Sequence, residues 1–412
     1  MKKAIIGLLC LAVLLAGSAW GYVHFMFDQP RPIDCDLPLK PRCLAEAARL
    51  NSEPGGIAGF FGLDRILPGE APDDAVLDAL AQSGDFEAAS AVAAKLPSPA
   101  VRAAAYRRLA VDAARAGKKA EAKAAAAAAV ANAALLTTDS PRRLEAAGDA
   151  AVAEAAAGDL AAARDRLSAS VGSATVLADG PDRDDAFAAL APAMAVVAEG
   201  SEALGTARKI RDAAKRNQAF AAIAVALAAT GDPLIDRAIA AITSTAWRVI
   251  ALAQSAEAAQ AAGQADSAAA NLAAAAALAS AIPDAPAADR DSPYGALALA
   301  EAELGRLDDA SASLQDCGGD LSRLPVLTEI TARRAASGDS DTLKTLDQVQ
   351  AIVTHLDGTS DYTAAQGWLA AAQAALGDGD GALATLDAIQ GGRARAFALA
   401  RVAVALARAG QS

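Results

Sequence analysis

The chain has 412 residues and a formal net charge of -12; 54% of it is hydrophobic, yet only 4% is aromatic. Alanine accounts for the difference, and because it has the highest helix propensity and buries little area, the composition predicts an all-α protein held by close helix approach. Residues 1–72 carry seven basic and seven acidic side chains, so the net negative charge falls on the remainder, which excludes a phosphate-neutralising surface and with it nucleic acid as a partner.

Met1-Lys2-Lys3 opens the chain, and no Asp, Glu, Lys or Arg follows from Ala4 to Phe27. This is a membrane-targeting pattern with its positive end on the cytoplasmic side. Residues 1–27 are therefore expected to be a signal anchor in a bacterial inner membrane, or a signal peptide cut near Gly17-Ser18-Ala19, with the rest of the chain in the periplasm. Residues 28–72 are rich in Pro and Gly and read as a linker with one short helix from Pro41 to Leu50. Export places the cysteines in an oxidising compartment, where Cys35 and Cys43, flanking Pro38 and Pro41, are candidates for a local disulfide and Cys317 is left without a partner.

From Asp73 onward Ala- and Leu-rich helical stretches alternate with short turns. Glycines end helices at Gly84, Gly117, Gly158, Gly200, Gly231, Gly263, Gly305, Gly338, Gly377 and Gly410. Seven of the ten have an arginine fifteen residues upstream: Arg102, Arg143, Arg216, Arg248, Arg290, Arg323 and Arg395. A fixed period of this kind marks a repeat architecture. Every second glycine, from Gly84 through Gly158, Gly231 and Gly305 to Gly377, is separated by 74, 73, 74 and 72 residues, so the larger unit is a pair of hairpins. The alternation of short and long second helices breaks between Gly158 and Gly231. Within a unit the first helix carries a large apolar residue (Tyr106, Phe220, Leu252, Tyr294, Leu327, Leu399), a second apolar residue three positions on, and then a small one (Ala110, Ala224, Ala256, Ala298, Ala403). Together they form one buried face with room for a neighbour.

These residues resemble the tetratricopeptide repeat family. The likeness rests on the Gly-Asp turns (Gly84-Asp85, Gly158-Asp159, Gly377-Asp378), on an alanine five residues after the turn glycine (Ala89, Ala122, Ala163, Ala268, Ala310, Ala382), and on the small residue of the first helix. It covers residues 73–412 and implies a right-handed α-solenoid of nine or ten antiparallel helix hairpins. Tyr, Phe or Leu stands where the family usually has a first-helix tryptophan. Pro293 and Pro325 set the arginines in the turns just before the helices, where each is expected to satisfy carbonyls of the preceding helix. A row of guanidinium groups binding carboxylates or phosphates is the other reading of the same ladder.

Catalytic patterns are sparse. His24 falls in the membrane segment, and His355 ends a helix, where a C-terminal cap explains it. No HExxH, GxSxG, P-loop or CxxC occurs. Gly377-Asp378-Gly379-Asp380-Gly381 lacks the downstream glutamate of a calcium loop and reads as a turn. No catalytic, cofactor or metal residue is assigned. The expectation is a non-catalytic scaffold or adaptor that binds a protein partner on its repeat surface, with self-association as a further outcome. The alternative is a periplasmic cell-wall enzyme or its accessory subunit, because soluble lytic transglycosylases also contain an Ala-rich helical superhelix.

Overall fold

The computed structural model describes residues 30–52, 73–137, 140–282, 293–317 and 319–409. The expected anchor, Arg290 and Gly410 lie outside them. Among the described residues no helix is long and apolar enough to cross a membrane.

The described chain is all α-helical. After α1 (Pro41–Ser52) come α2 (Asp73–Gln82) with α3 (Phe86–Lys95), α4 (Pro99–Arg115) with α5 (Lys119–Ala134), and α6 (Pro141–Ala156) with α7 (Leu160–Val176). Next are α8 (Pro181–Val196) with α9 (Gly200–Ala207), α10 (Ala213–Thr230) with α11 (Ile235–Ala241), and α12 (Thr245–Ala261) with α13 (Ala265–Ala279). Then follow α14 (Pro293–Glu303) with α15 (Leu307–Ser313), α16 (Asp320–Ser337) with α17 (Thr342–His355), α18 (Tyr362–Ala375) with α19 (Gly379–Ala388), and finally α20 (Gly392–Ala409).

Side-chain chemistry sets the helix starts. Asp85, Ser98, Ser140, Asp159, Asp212, Ser244 and Asp378 each accept a hydrogen bond from a backbone N–H in the first turn of the helix they cap. Helix ends are set by backbone conformation. Gly84 and Gly158 adopt φ of +82° and +91° with open space where a side chain would stand, so only the left-handed backbone demands glycine there. The N–H of the next residue then returns to the carbonyl five positions back, Asp85 to Leu80 and Asp159 to Glu154, each at 2.9 Å.

The even-numbered helices pack against one another in succession, while the odd-numbered ones pack only on even-numbered neighbours. The even helices thus form an inner layer and the odd ones an outer layer. The repeat positions face the seam between layers. Ala110, Ala224, Ala256, Ala298 and Ala403 are fully buried, as are the second-helix alanines Ala89, Ala163, Ala268, Ala310 and Ala382. A methyl group at these positions lets neighbouring backbones approach where a larger side chain would hold them apart.

The inner layer closes on itself. α20 packs against α2 as well as α18, and one apolar core holds Leu44, Leu77, Leu80 and Leu109 from the first helices together with Leu399 and Val402 from the last. The helix within the segment read as a linker completes this closure. α1 packs closely on α20 and more lightly on α2, as each odd helix does on its own and the following even helix. Arg42 at its start reaches Asp85 beyond the end of α2 at 3.1 Å. Asn51 at its end accepts from Arg31 N at 2.8 Å, and the Arg31 carbonyl accepts from Arg395 at the start of α20. α1 therefore runs antiparallel to α20 and stands as the second helix of a tenth hairpin.

Candidate functional site

The arginine ladder is internal to the scaffold. Arg102, Arg143, Arg216, Arg248, Arg323 and Arg395 lie within the first helical turn, and not in the turns before the helices as the prolines suggested. Pro325 likewise falls inside α16. In four of the six the guanidinium folds back over the turn to a carbonyl six residues earlier, whereas Arg323 lies 4.0 Å from Asp320. Arg102 donates to Leu96 O at 2.7 Å, Arg216 to Ile210 O at 2.9 Å, Arg248 to Ile242 O at 2.6 Å and Arg395 to Ile389 O at 3.2 Å. Each acceptor is at or just past the end of the preceding outer helix, where carbonyls lack intrahelical donors and the helix dipole favours a cation. Its side chain is a buried Leu or Ile that carries the chain into the core. These arginines are occupied with structure.

Of the glycines assigned to the repeat, Gly117, Gly158, Gly231, Gly263, Gly305 and Gly377 take positive φ, as do Gly84 and Gly338. Gly200 does not. It opens α9, and the left-handed residue of that unit is Ala198 at φ +67°. Counting from Ala198 puts Arg183 fifteen residues upstream, a rung that a glycine search passes over.

Cys35 and Cys43 are joined by a disulfide, and Cys317 is free and buried. His355 ends α17 as expected, but its Nδ1 lies 2.6 Å from a carboxylate oxygen of Asp320 at the start of α16, a partner that capping alone did not supply. Asp378 accepts from Gly381 N at 2.9 Å and closes the glycine-rich turn. Among the described residues no group of three or more His, Cys, Asp or Glu is disposed to hold a metal ion.

What the ladder leaves for recognition is the axial opening. Because the inner helices run in one direction, their C-terminal ends gather on one rim. There a cleft of about 760 Å³ is lined by Gln82 and Ser83 from the end of α2, Asp112 and Arg115 from α4, Ala261 from α12, Glu303 from α14, Glu329 and Arg333 from α16, and Arg408 from α20. Six inner helices that are not all neighbours in the chain meet there only because the ring closes.

The lining alternates in sign. Arg333 bonds Glu329 at 2.6 Å, and Arg408 lies 3.8 Å from both Glu303 and Glu329. Beyond the cleft lining, on the α2–α4 side of the inner layer, Arg108 reaches Asp74 at 2.5 Å and Asp78 at 3.5 Å, and Arg107 meets Asp149 of α6 at 2.7 Å. Arg401 stacks over Trp368 with 4.5 Å between the guanidinium carbon and the ring centre, and donates to Ala364 O.

Burial weakens ionisation across this inner surface. It raises Asp78, Asp112 and Glu303 above the ordinary carboxylate range. Asp149 is pushed up to about 6 by burial, against the pull of Arg107. Glu257 of α12 goes furthest, to about 8, through burial and then the nearby charge of Glu303, which Arg408 only partly offsets. The protonated form of Glu257 is thus favoured at neutral pH, one helical turn before Ala261 of the cleft lining and within reach of the charges of Glu303, Glu329 and Arg408. Sequence reasoning missed these residues, since each inner helix contributes one or two and only closure gathers them.

No protein-family model matches the chain, and no curated protein matches it. Among solved structures it is similar to Ton1535 from Thermococcus onnurineus NA1, at 15% identity over 79% of this chain and 98% of that one, with a TM-score of 0.32. A likeness that low carries no inference about this chain.

Proposed function

We propose that this chain is a non-catalytic scaffold or adaptor of tetratricopeptide-like hairpins, exported to the bacterial periplasm and tethered at the inner membrane by its N-terminal segment, which binds a protein partner. The observation that carries this reading is the rim cleft of about 760 Å³, whose Arg and carboxylate side chains stand in alternation around the opening. Such a lining offers complementary partners to a peptide bearing both charges and disfavours one of a single sign. The Cys35–Cys43 disulfide supports the oxidising address. A right-handed repeat geometry accords with hairpins packed in chain order.

The test is site-specific photo-crosslinking in the native envelope. A photoreactive residue at Gln82 or Arg115 is expected to give adducts with a discrete protein, and one at the exposed outer residue Leu343 is not. Equal adducts from inside and outside, or none from the cleft, would reject it.

The second reading, a cell-wall-associated enzyme, draws on Glu257. A carboxyl raised to about 8 beside the cleft carboxylates Glu303 and Glu329 has the protonation state required of a general acid. Peptidoglycan cleavage that disappears in Glu257→Gln while the fold persists would put this reading first.

A further inference from the structure

α1 belongs to the ring by position but not by connection. Every other outer helix of the described chain joins its inner partner through a short turn, whereas the contact between Arg31 and Arg395 spans 364 residues. α1 is 12 residues long, and of its buried side chains, Leu44, Ala45, Ala47, Ala48 and Asn51, only Leu44 is a large apolar group. The segment leading into it is held by the Cys35–Cys43 bond, with Ile33, Cys35 and Leu39 partly buried against the same core.

We propose that α1 is a redox-controlled clasp: with Cys35 and Cys43 bonded it closes the ring between α20 and α2, and after reduction by a dithiol it leaves that seam and widens the axial cleft. What the widened cleft then admits rests on the reading given above. In the reduction one thiolate of the dithiol attacks a sulfur of the pair and forms a mixed disulfide. The second thiolate then displaces the protein sulfur, so the reagent leaves as its own disulfide and both protein sulfurs end as thiols carrying the two protons. Without that cross-link the entry segment regains the freedom that a short closed loop denies it, and the open form gains by about a hundredfold.

Hydrogen exchange on the full chain, followed by mass spectrometry with and without dithiothreitol, reads this directly. Amides of residues 396–403 in α20 and 76–80 in α2 are expected to exchange about a hundredfold faster after reduction, while α8, α10 and α12 keep their rates. The double variant Cys35→Ser with Cys43→Ser should behave like the reduced protein without reagent, and Leu44→Asp should open the same seam with the disulfide intact. No change at the seam, an even acceleration through all helices, or global unfolding of Leu44→Asp would each overturn the proposal. The readout needs no partner, so it stands or falls apart from the binding reading.

Discussion

A guanidinium bonded to the carbonyl six residues behind it is a small device, yet it recurs at Arg102, Arg216, Arg248 and Arg395. It ties the end of one hairpin to the start of the next and supplies a donor where the outer helix has run out of them. Arg248→Ala should cost about 1–3 kcal/mol in urea unfolding, because a charge-assisted bond is lost and a carbonyl is left short of a partner. Glu257 should act in the opposite direction. Its carboxyl is raised from 4.5 to about 8, so the folded chain binds more protons than the unfolded one between those values. The stability that this group contributes is complete below about pH 4.5 and is lost as pH rises through 8. Glu257→Gln should therefore leave stability at pH 5 little changed and raise it at pH 9 by a few kcal/mol, on the order of 4, in paired urea titrations. The ladder could be read from the sequence because fifteen-residue spacing survives substitution around it. The cleft could not, because Asp112, Glu303, Glu329 and Arg408 share no spacing and meet only in three dimensions.

Hairpins depend on how each inner helix stops. Ala198 marks the point where a glycine search fails: it adopts φ +67°, and Glu199 N returns to Met194 O at 3.0 Å, as the residues after Gly84 and Gly158 do. An alanine held left-handed costs on the order of 1 kcal/mol relative to glycine. Ala198→Gly is thus expected to raise stability by about 0.5–1 kcal/mol, and Gly158→Ala, at φ +91°, to lower it by at least as much, in the same unfolding assay. Measured from Ala198, the hairpin lengths on either side become 40 and 33 residues, in place of the 42 and 31 that Gly200 implies. Both lengths then fall close to those of the other hairpins, while the reversed order of long and short between Gly158 and Gly231 remains. The hairpins themselves were legible, because Ser and Asp caps, Gly stops and a buried Ala stripe all point the same way. The role of α1 was not: a short Pro-flanked helix beside a Pro/Gly-rich stretch has the local chemistry of a linker, and its partner lies at the other end of the chain.

For the whole molecule, closure changes what kind of object the repeat is. An open array shares its stability between neighbours and can fray from an end, whereas in this ring α2 and α20 each have an inner neighbour on both sides. Unfolding is expected to be cooperative, with calorimetric and van't Hoff enthalpies in agreement. Leu109→Ala in α4 and Leu399→Ala in α20 should lower one common transition, each by about 2–4 kcal/mol. Two separated transitions would show that the ring is not a single folding unit.

The placement of α1 also imposes an order on biogenesis. Synthesis delivers this helix long before α20 exists, and a contact across 364 residues cannot form until α20 has been made. A nascent amphipathic helix with Leu44 and Ala48 uncovered must wait through that interval, so the emerging polypeptide presents a sticky segment that a holding chaperone would shield. Completion of the circle then follows the synthesis of α20, and a chain interrupted before α20 cannot reach it.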